Sequence, residues 1–151
     1  MSEQTIDCFI LPSEPLPLLL PKECVASVVA KPVINAMAKA PASWMRGHVN
    51  WENQRLPVLS YAALHNPESN ESKKRKSHLV VLNPIPNAAR KTYSGLICYG
   101  DIQEVTLSPD LEFVDLPESA DRRYVDAAIK VGEQDFIVPK LAALGVAFSY
   151  F

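Results

Sequence analysis

Glycine is scarce in this chain, with five in 151 residues, about half the usual share. No phosphate-cradling glycine loop, nucleophile elbow or paired-histidine metal motif occurs. Cysteine is equally sparse: Cys8, Cys24 and Cys98 are odd in number, far apart and without a Cys-x-x-Cys pair. A zinc site needs about four N or S ligands at close spacing, and His48, His65 and His78 do not supply the missing ones. Reduced, mostly buried thiols are expected, with no metal and no cofactor. An excess of basic charge is also lacking, since 15 Lys and Arg face 17 Asp and Glu. The resulting pI near 5.9 argues against a dedicated nucleic-acid binder, whose domain pI typically exceeds ~9. No apolar run approaches the roughly 20 residues of a membrane-spanning helix. Glu3 and Asp7 stand where a signal peptide would be positive, so a cytoplasmic location is expected. Without a secretory signal, the glycosylation pattern Asn70-Glu71-Ser72 reads as chance.

Proline is present in excess. Thirteen prolines are about 9% of the chain, against an average near 5%, and they spread from Pro12 to Pro139. Each removes a backbone donor and breaks a helix interior, which excludes long helices almost everywhere. Apolar residues at 48% and charged residues at 21% fit a globular chain. A chain of this length buries about 70% of its unfolded surface and needs no disulfide or metal. A β-rich protein of short strands with rigid corners follows.

Residues 6–11 read as a first strand, and Leu18-Leu19-Leu20 as a second, joined by a proline-punctuated turn. Val25 to Val29 is a third, and Ile34 to Lys39 is expected as one helical turn before Pro41. The strongest hairpin lies at 46–60. There Val49 and Trp51 alternate with His48, Asn50 and Glu52, and Leu56 and Val58 with Arg55 and Pro57. Such period-two alternation around a short polar turn is what a half-buried hairpin requires, so Val49, Trp51, Leu56 and Val58 are expected to pack inward. Tyr61 to Leu64 is one helical turn. Residues 65–77 contain no apolar group and predict a solvated loop. Strands are then expected at 78–82, 95–99, 102–107 and 125–131. Gly132-Glu133 makes a Gly-first turn, Phe136 and Val138 a return strand, and Pro139 the start of a last helical turn. About nine short strands result, and small closed barrels arrange them without exposed edges.

Catalytic constellations are thin. His48 falls on the polar face of the hairpin, His65 in a loop and His78 at a strand start, and no nucleophile–base–orienter set is recognisable. The run Lys73-Lys74-Arg75-Lys76 is the only concentrated charge, diluted by Glu68 and Glu71. Trp51 is in phase with Val49 and reads as core, as does Trp44.

From Pro41 through Trp51, then Arg55-Leu56-Pro57-Val58-Leu59-Ser60, the chain resembles the signature of CheW-like domains. Val25 to Val28, His78 to Asn83, Gly95 to Val105 and Tyr124 to Leu144 agree with other stretches of the family in order and spacing. The resemblance covers nearly the whole chain and implies a mainly β, CheW-like fold. That fold is two small five-stranded β-barrel subdomains around a shared core, with short helical turns, forming one domain over residues 1–151. It further implies a non-enzymatic cytoplasmic adaptor that couples the tips of methyl-accepting chemoreceptors to the regulatory domain of a CheA-type histidine kinase. Such a protein meets the membrane only through receptors and binds in a groove between the barrels and at exposed strand ends.

The departures from the pattern point to partner choice. Where the family carries a Glu–Arg pair, this chain has Ser27 and Glu52. Its Arg-Gly turn is Glu52-Asn53, and the aspartate after the strand is Ser60. Ser27, Gly47, Asn50, Glu52, Asn53 and Pro57 are therefore the expected partner-binding positions, with no catalytic residue and no metal ligand. The pattern fits a divergent accessory member serving a second chemosensory system, such as one controlling pilus-based motility. The alternative is a small-barrel module for single-stranded nucleic acid or another ligand, resting on residues 73–76 and scattered aromatics.

Overall fold

The computed structural model describes residues 4–69, 75–89 and 91–151. Eleven strands and two helices follow one another as β1 (Ile6–Leu11), β2 (Leu18–Pro21), β3 (Val25–Ala30), β4 (Met45–Trp51), β5 (Gln54–Leu59), α1 (Tyr61–His65), β6 (Ser77–Leu82), β7 (Ser94–Tyr99), β8 (Gln103–Leu107), β9 (Glu112–Phe113), β10 (Val125–Val131), β11 (Gln134–Pro139) and α2 (Leu141–Phe148). Two single 3-10 turns, Lys22–Cys24 and Arg122–Tyr124, lead into β3 and β10.

The strands form two mixed sheets. One has six strands in the order β8-β1-β2-β11-β10-β9, the other five in the order β3-β6-β7-β5-β4. The sixth strand of the larger sheet is the two-residue β9, which no alternation marks in the sequence. Most pairs are antiparallel; β2–β11 and β5–β7 are parallel and join segments distant in sequence. Alternate residues of a strand serve opposite faces, and three apolar clusters result. Val49, Leu56, Val58, Leu79, Val81 and Ile97 pack on one face of the five-stranded sheet. Cys8, Leu19, Leu107, Ile129 and Phe136 do the same for the six-stranded sheet. Between them lies the largest cluster, where Leu11, Leu18 and Ile137 of one sheet meet Leu59, Val80 and Leu96 of the other, closed by Leu144 and Phe148 of α2. A core for each sheet and a shared middle is the arrangement expected of CheW-like domains.

Several local expectations are corrected. Residues 34–39 form no helical turn, because the Asn35 backbone exchanges hydrogen bonds with His48 at 2.8 and 2.9 Å instead. Pro139 ends β11 opposite Val125, and the last helix begins at Leu141 and runs to Phe148. Val49, Leu56 and Val58 are buried as expected, and Trp51 packs against the same cluster but stays half-buried, with its ring 5.0 Å from that of Tyr93. His65 ends α1 and is not in a loop. Of the segment 65–77, residues 70–74 lie outside the described residues, including the glycosylation pattern, Lys73 and Lys74; Arg75 and Lys76 are exposed. Ser69 donates a hydrogen bond to Glu14 at 2.8 Å.

Candidate functional site

The β4–β5 hairpin carries most of the expected binding positions. Its register pairs Val49 with Leu56 and Trp51 with Gln54, leaving Glu52 and Asn53 as a two-residue turn. Both take positive φ, 50° and 60°, the backbone of a type I′ turn, whose twist matches that of the flanking strands. Asparagine tolerates that region; glutamate does so at a cost. Glu52, Asn53 and Asn50 are exposed, and Arg55, opposite Asn50, lies on the same corner.

The other positions are placed differently. Gly47 and Pro57 are buried. Gly47 has φ +135°, and a Cβ there would stand 2.1 Å from the Asn35 carbonyl oxygen. Its place is to let the Asn35 segment lie across the edge of β4. Pro57 sits opposite His48 inside the hairpin ladder. Ser27 is half-buried, in phase with Val29, whose side packs toward the cluster beneath the hairpin. β3 and β4 are the two edge strands of their sheet. No hydrogen bond or ion pair joins Ser27 to Glu52 among the described residues.

An apolar groove of the kind that the resemblance implies lies where the sheets meet. Leu141 at the start of α2 separates two clefts. One of about 380 Å³ is lined by Leu20, Pro21, Val138, Pro139 and Lys140. The other, about 250 Å³, is lined by Cys24, Leu82, Pro84, Ile85 and Pro86. Asn83 braces the smaller cleft: its backbone N–H donates to the Cys24 carbonyl at 3.0 Å and its side-chain amide to the Glu23 carbonyl at 2.8 Å. Of its lining residues, the sequence marked only the irregular Pro84-Ile85-Pro86. The groove presents hydrophobic walls with Glu23, Asp126 and Lys140 at the margins, a composition suited to an apolar anchor with a polar rim.

A second joint ties the sheets on another side. The Tyr61 hydroxyl donates to the Tyr124 carbonyl, and the His65 Nδ1 accepts from the Asp121 backbone N–H at 2.7 Å. Burial lowers the His65 pKa to about 4, against a smaller upward pull from Asp121. Burial likewise raises the Tyr61 hydroxyl, with Asp121 adding to the rise. Both groups are held neutral as hydrogen-bonding struts. Asp121 itself is lowered, chiefly by its hydrogen bond from Arg123. The Cys8 and Cys24 thiols are raised by burial first and by neighbouring acids second, which keeps them protonated and weakly nucleophilic at neutral pH. Among the described residues no group of three or more His, Cys, Asp or Glu is placed to hold a metal ion, and no helix is long and apolar enough to cross a membrane.

Comparison with known proteins agrees with this fold. The family model described as CheW-like domain matches residues 8–145. Among solved structures, the scaffolding protein TtCheW from Thermoanaerobacter tengcongensis superposes with a TM-score of 0.72 at 16% identity, covering 93% of this chain and 87% of that one. No curated protein matches.

Proposed function

The chain belongs to the CheW-like domain family, and from that premise we propose that it is a non-enzymatic cytoplasmic adaptor acting as one domain over residues 1–151. It couples the cytoplasmic tips of methyl-accepting chemoreceptors to the regulatory domain of a CheA-type histidine kinase in an accessory chemosensory system. The family match across residues 8–145 carries the reading. The surface supports it: an apolar groove beside Leu141 offers an anchor site, and the exposed corner of Asn50, Glu52 and Asn53 offers a polar contact set. Anchors in a groove with a polar rim give specific binding without chemistry. In this reading Gly47 and Pro57 act by shaping the hairpin, and Ser27 by leaving the edge strand uncharged.

The test is reconstitution. The chain, mixed with the kinase regulatory domain and a receptor-tip fragment of its own system, should co-sediment with both, and Leu141→Glu should release at least one of them while the melt stays cooperative. Failure of wild type to bind either component would overturn the adaptor reading.

A further inference from the structure

Four strands form the outer edges of the two sheets: β8 and β9 of one, β3 and β4 of the other. An open edge offers unpaired N–H and C=O groups to any passing strand, and folded proteins blunt edges with charge, brevity, proline or a covering segment. β4 is crossed by Asn35 and carries Arg46 and His48. β8 carries Glu104, and β9 is two residues long and includes Glu112. β3 has none of these devices. Val25-Ala26-Ser27-Val28-Val29-Ala30 holds no charge and no proline, and among the described residues it pairs with β6 alone. Its one irregularity is a register shift between Val25 and Ser27, which leaves Ser27 to Ala30 as a regular ladder.

The hydrogen-bond phase fixes which groups face outward. Lys31 N–H donates to the Ser77 carbonyl at 3.0 Å, and the register sets Ala30 opposite His78 and Val28 opposite Val80. In an antiparallel pair the bonded and non-bonded residues alternate. Val29 and Ser27 therefore share the inward phase of Lys31, while Val28 and Ala30 direct their N–H and C=O groups to the open side. The side chains there are apolar and exposed: Ala26, Ala30 and Val28, the last at 37%, with Val33 at 78% just past the strand.

We propose that the open edge of β3 is a self-association surface, pairing antiparallel with β3 of a second copy about a two-fold axis near Val28. Charge selects this occupant. The exposed charges of the segment stand at its ends, Glu23 before the strand and Lys31 after it, while neighbouring Lys22 is already tied to Glu104. Antiparallel self-pairing brings each Lys31 toward the Glu23 end of the other copy, twice over, and leaves a neutral apolar centre. Parallel pairing would set like charges side by side, and a highly charged foreign strand would find no counter-charge at the centre. A two-fold contact uses the same patch on both copies, so it closes at the dimer and does not grow a filament. The inference does not depend on the adaptor reading.

Sedimentation equilibrium of the full chain tests it. Its weight-average mass should rise with concentration from 16.7 kDa toward twice that value. Val28→Pro removes one outward N–H without touching the β6 ladder, and Val28→Lys places two ammonium groups at the axis. Each should weaken association by roughly tenfold or more, with circular-dichroism melts close to wild type. Should one variant fail to fold, the other decides. A wild-type chain that stays monomeric throughout, or a dimer that persists unchanged in a folded variant, would overturn the proposal.

Discussion

His65 shows how a residue can resemble a catalytic group and serve as a strut. Its ring sits between Tyr61 at 4.7 Å and Tyr124 at 6.2 Å, with Nδ1 accepting from Asp121. Protonation would place an N–H against that N–H donor, so the bond holds only in the neutral ring. The folded-state pKa is about 4, against an ordinary 6.5. Between these values the unfolded chain binds more protons than the folded one, so stability must fall as pH drops through that window and be fully present above it. Since the ring is only partly buried, the loss is about 1–3 kcal/mol rather than the full shift. Denaturant midpoints from pH 7 to pH 4 should decline for this reason, and the decline should flatten in His65→Gln, whose carbonyl can accept the same bond without titrating. An identical slope in both proteins would assign the pH dependence to the carboxylates instead. Nothing in the sequence around His65 announces the strut, because its partner Asp121 lies 56 positions away.

Elements were legible where the local signal and the tertiary one agree. The hairpin at 46–60 combines period-two alternation with a two-residue turn, and its register follows from both. The 34–39 segment misleads because helix-compatible residues there answer to a strand edge remote from them. What stabilises the segment is the pair of bonds between Asn35 and His48. Gly47 makes that crossing possible, and a Gly47→Ala change combines a φ of +135° with a Cβ 2.1 Å from backbone oxygen. Strain and overpacking together should cost roughly 2–5 kcal/mol. A chemical-denaturation midpoint within error of wild type would remove the structural assignment. Weaker partner binding with unchanged stability would return Gly47 to the contact surface.

At the scale of the molecule, the β-rich class was readable because proline excess and short alternating runs leave few other options. The pairing of the sheets was not, since the parallel contacts β2–β11 and β5–β7 join residues far apart in the chain. Nor were the walls of the groove at Leu141, which come from both sheets; the resemblance implied only that a groove lies between the barrels. The altered pair belongs to this scale, because Ser27 stands on one edge strand and Glu52 on the turn that ends the other, and they matter jointly only through a partner or the curl of the sheet. Glu52 is exposed on the turn with Arg55 nearby, so Glu52→Arg should leave the fold intact and make the corner wholly basic. Ser27→Glu is less benign, since the side is half-buried and an unpaired carboxylate there is desolvated. Reversing a rim charge shifts on-rate and disfavours partners selected for the opposite sign by up to a few kcal/mol. Wild type should therefore bind an ordinary receptor–CheA pair poorly, Glu52→Arg somewhat better, and the double variant Ser27→Glu/Glu52→Arg best. Titration of all three against a standard CheA regulatory domain and receptor tip measures the order. If wild type already binds both as tightly as a standard CheW does, the corner is not the selector, and discrimination must lie in the groove walls around Leu141.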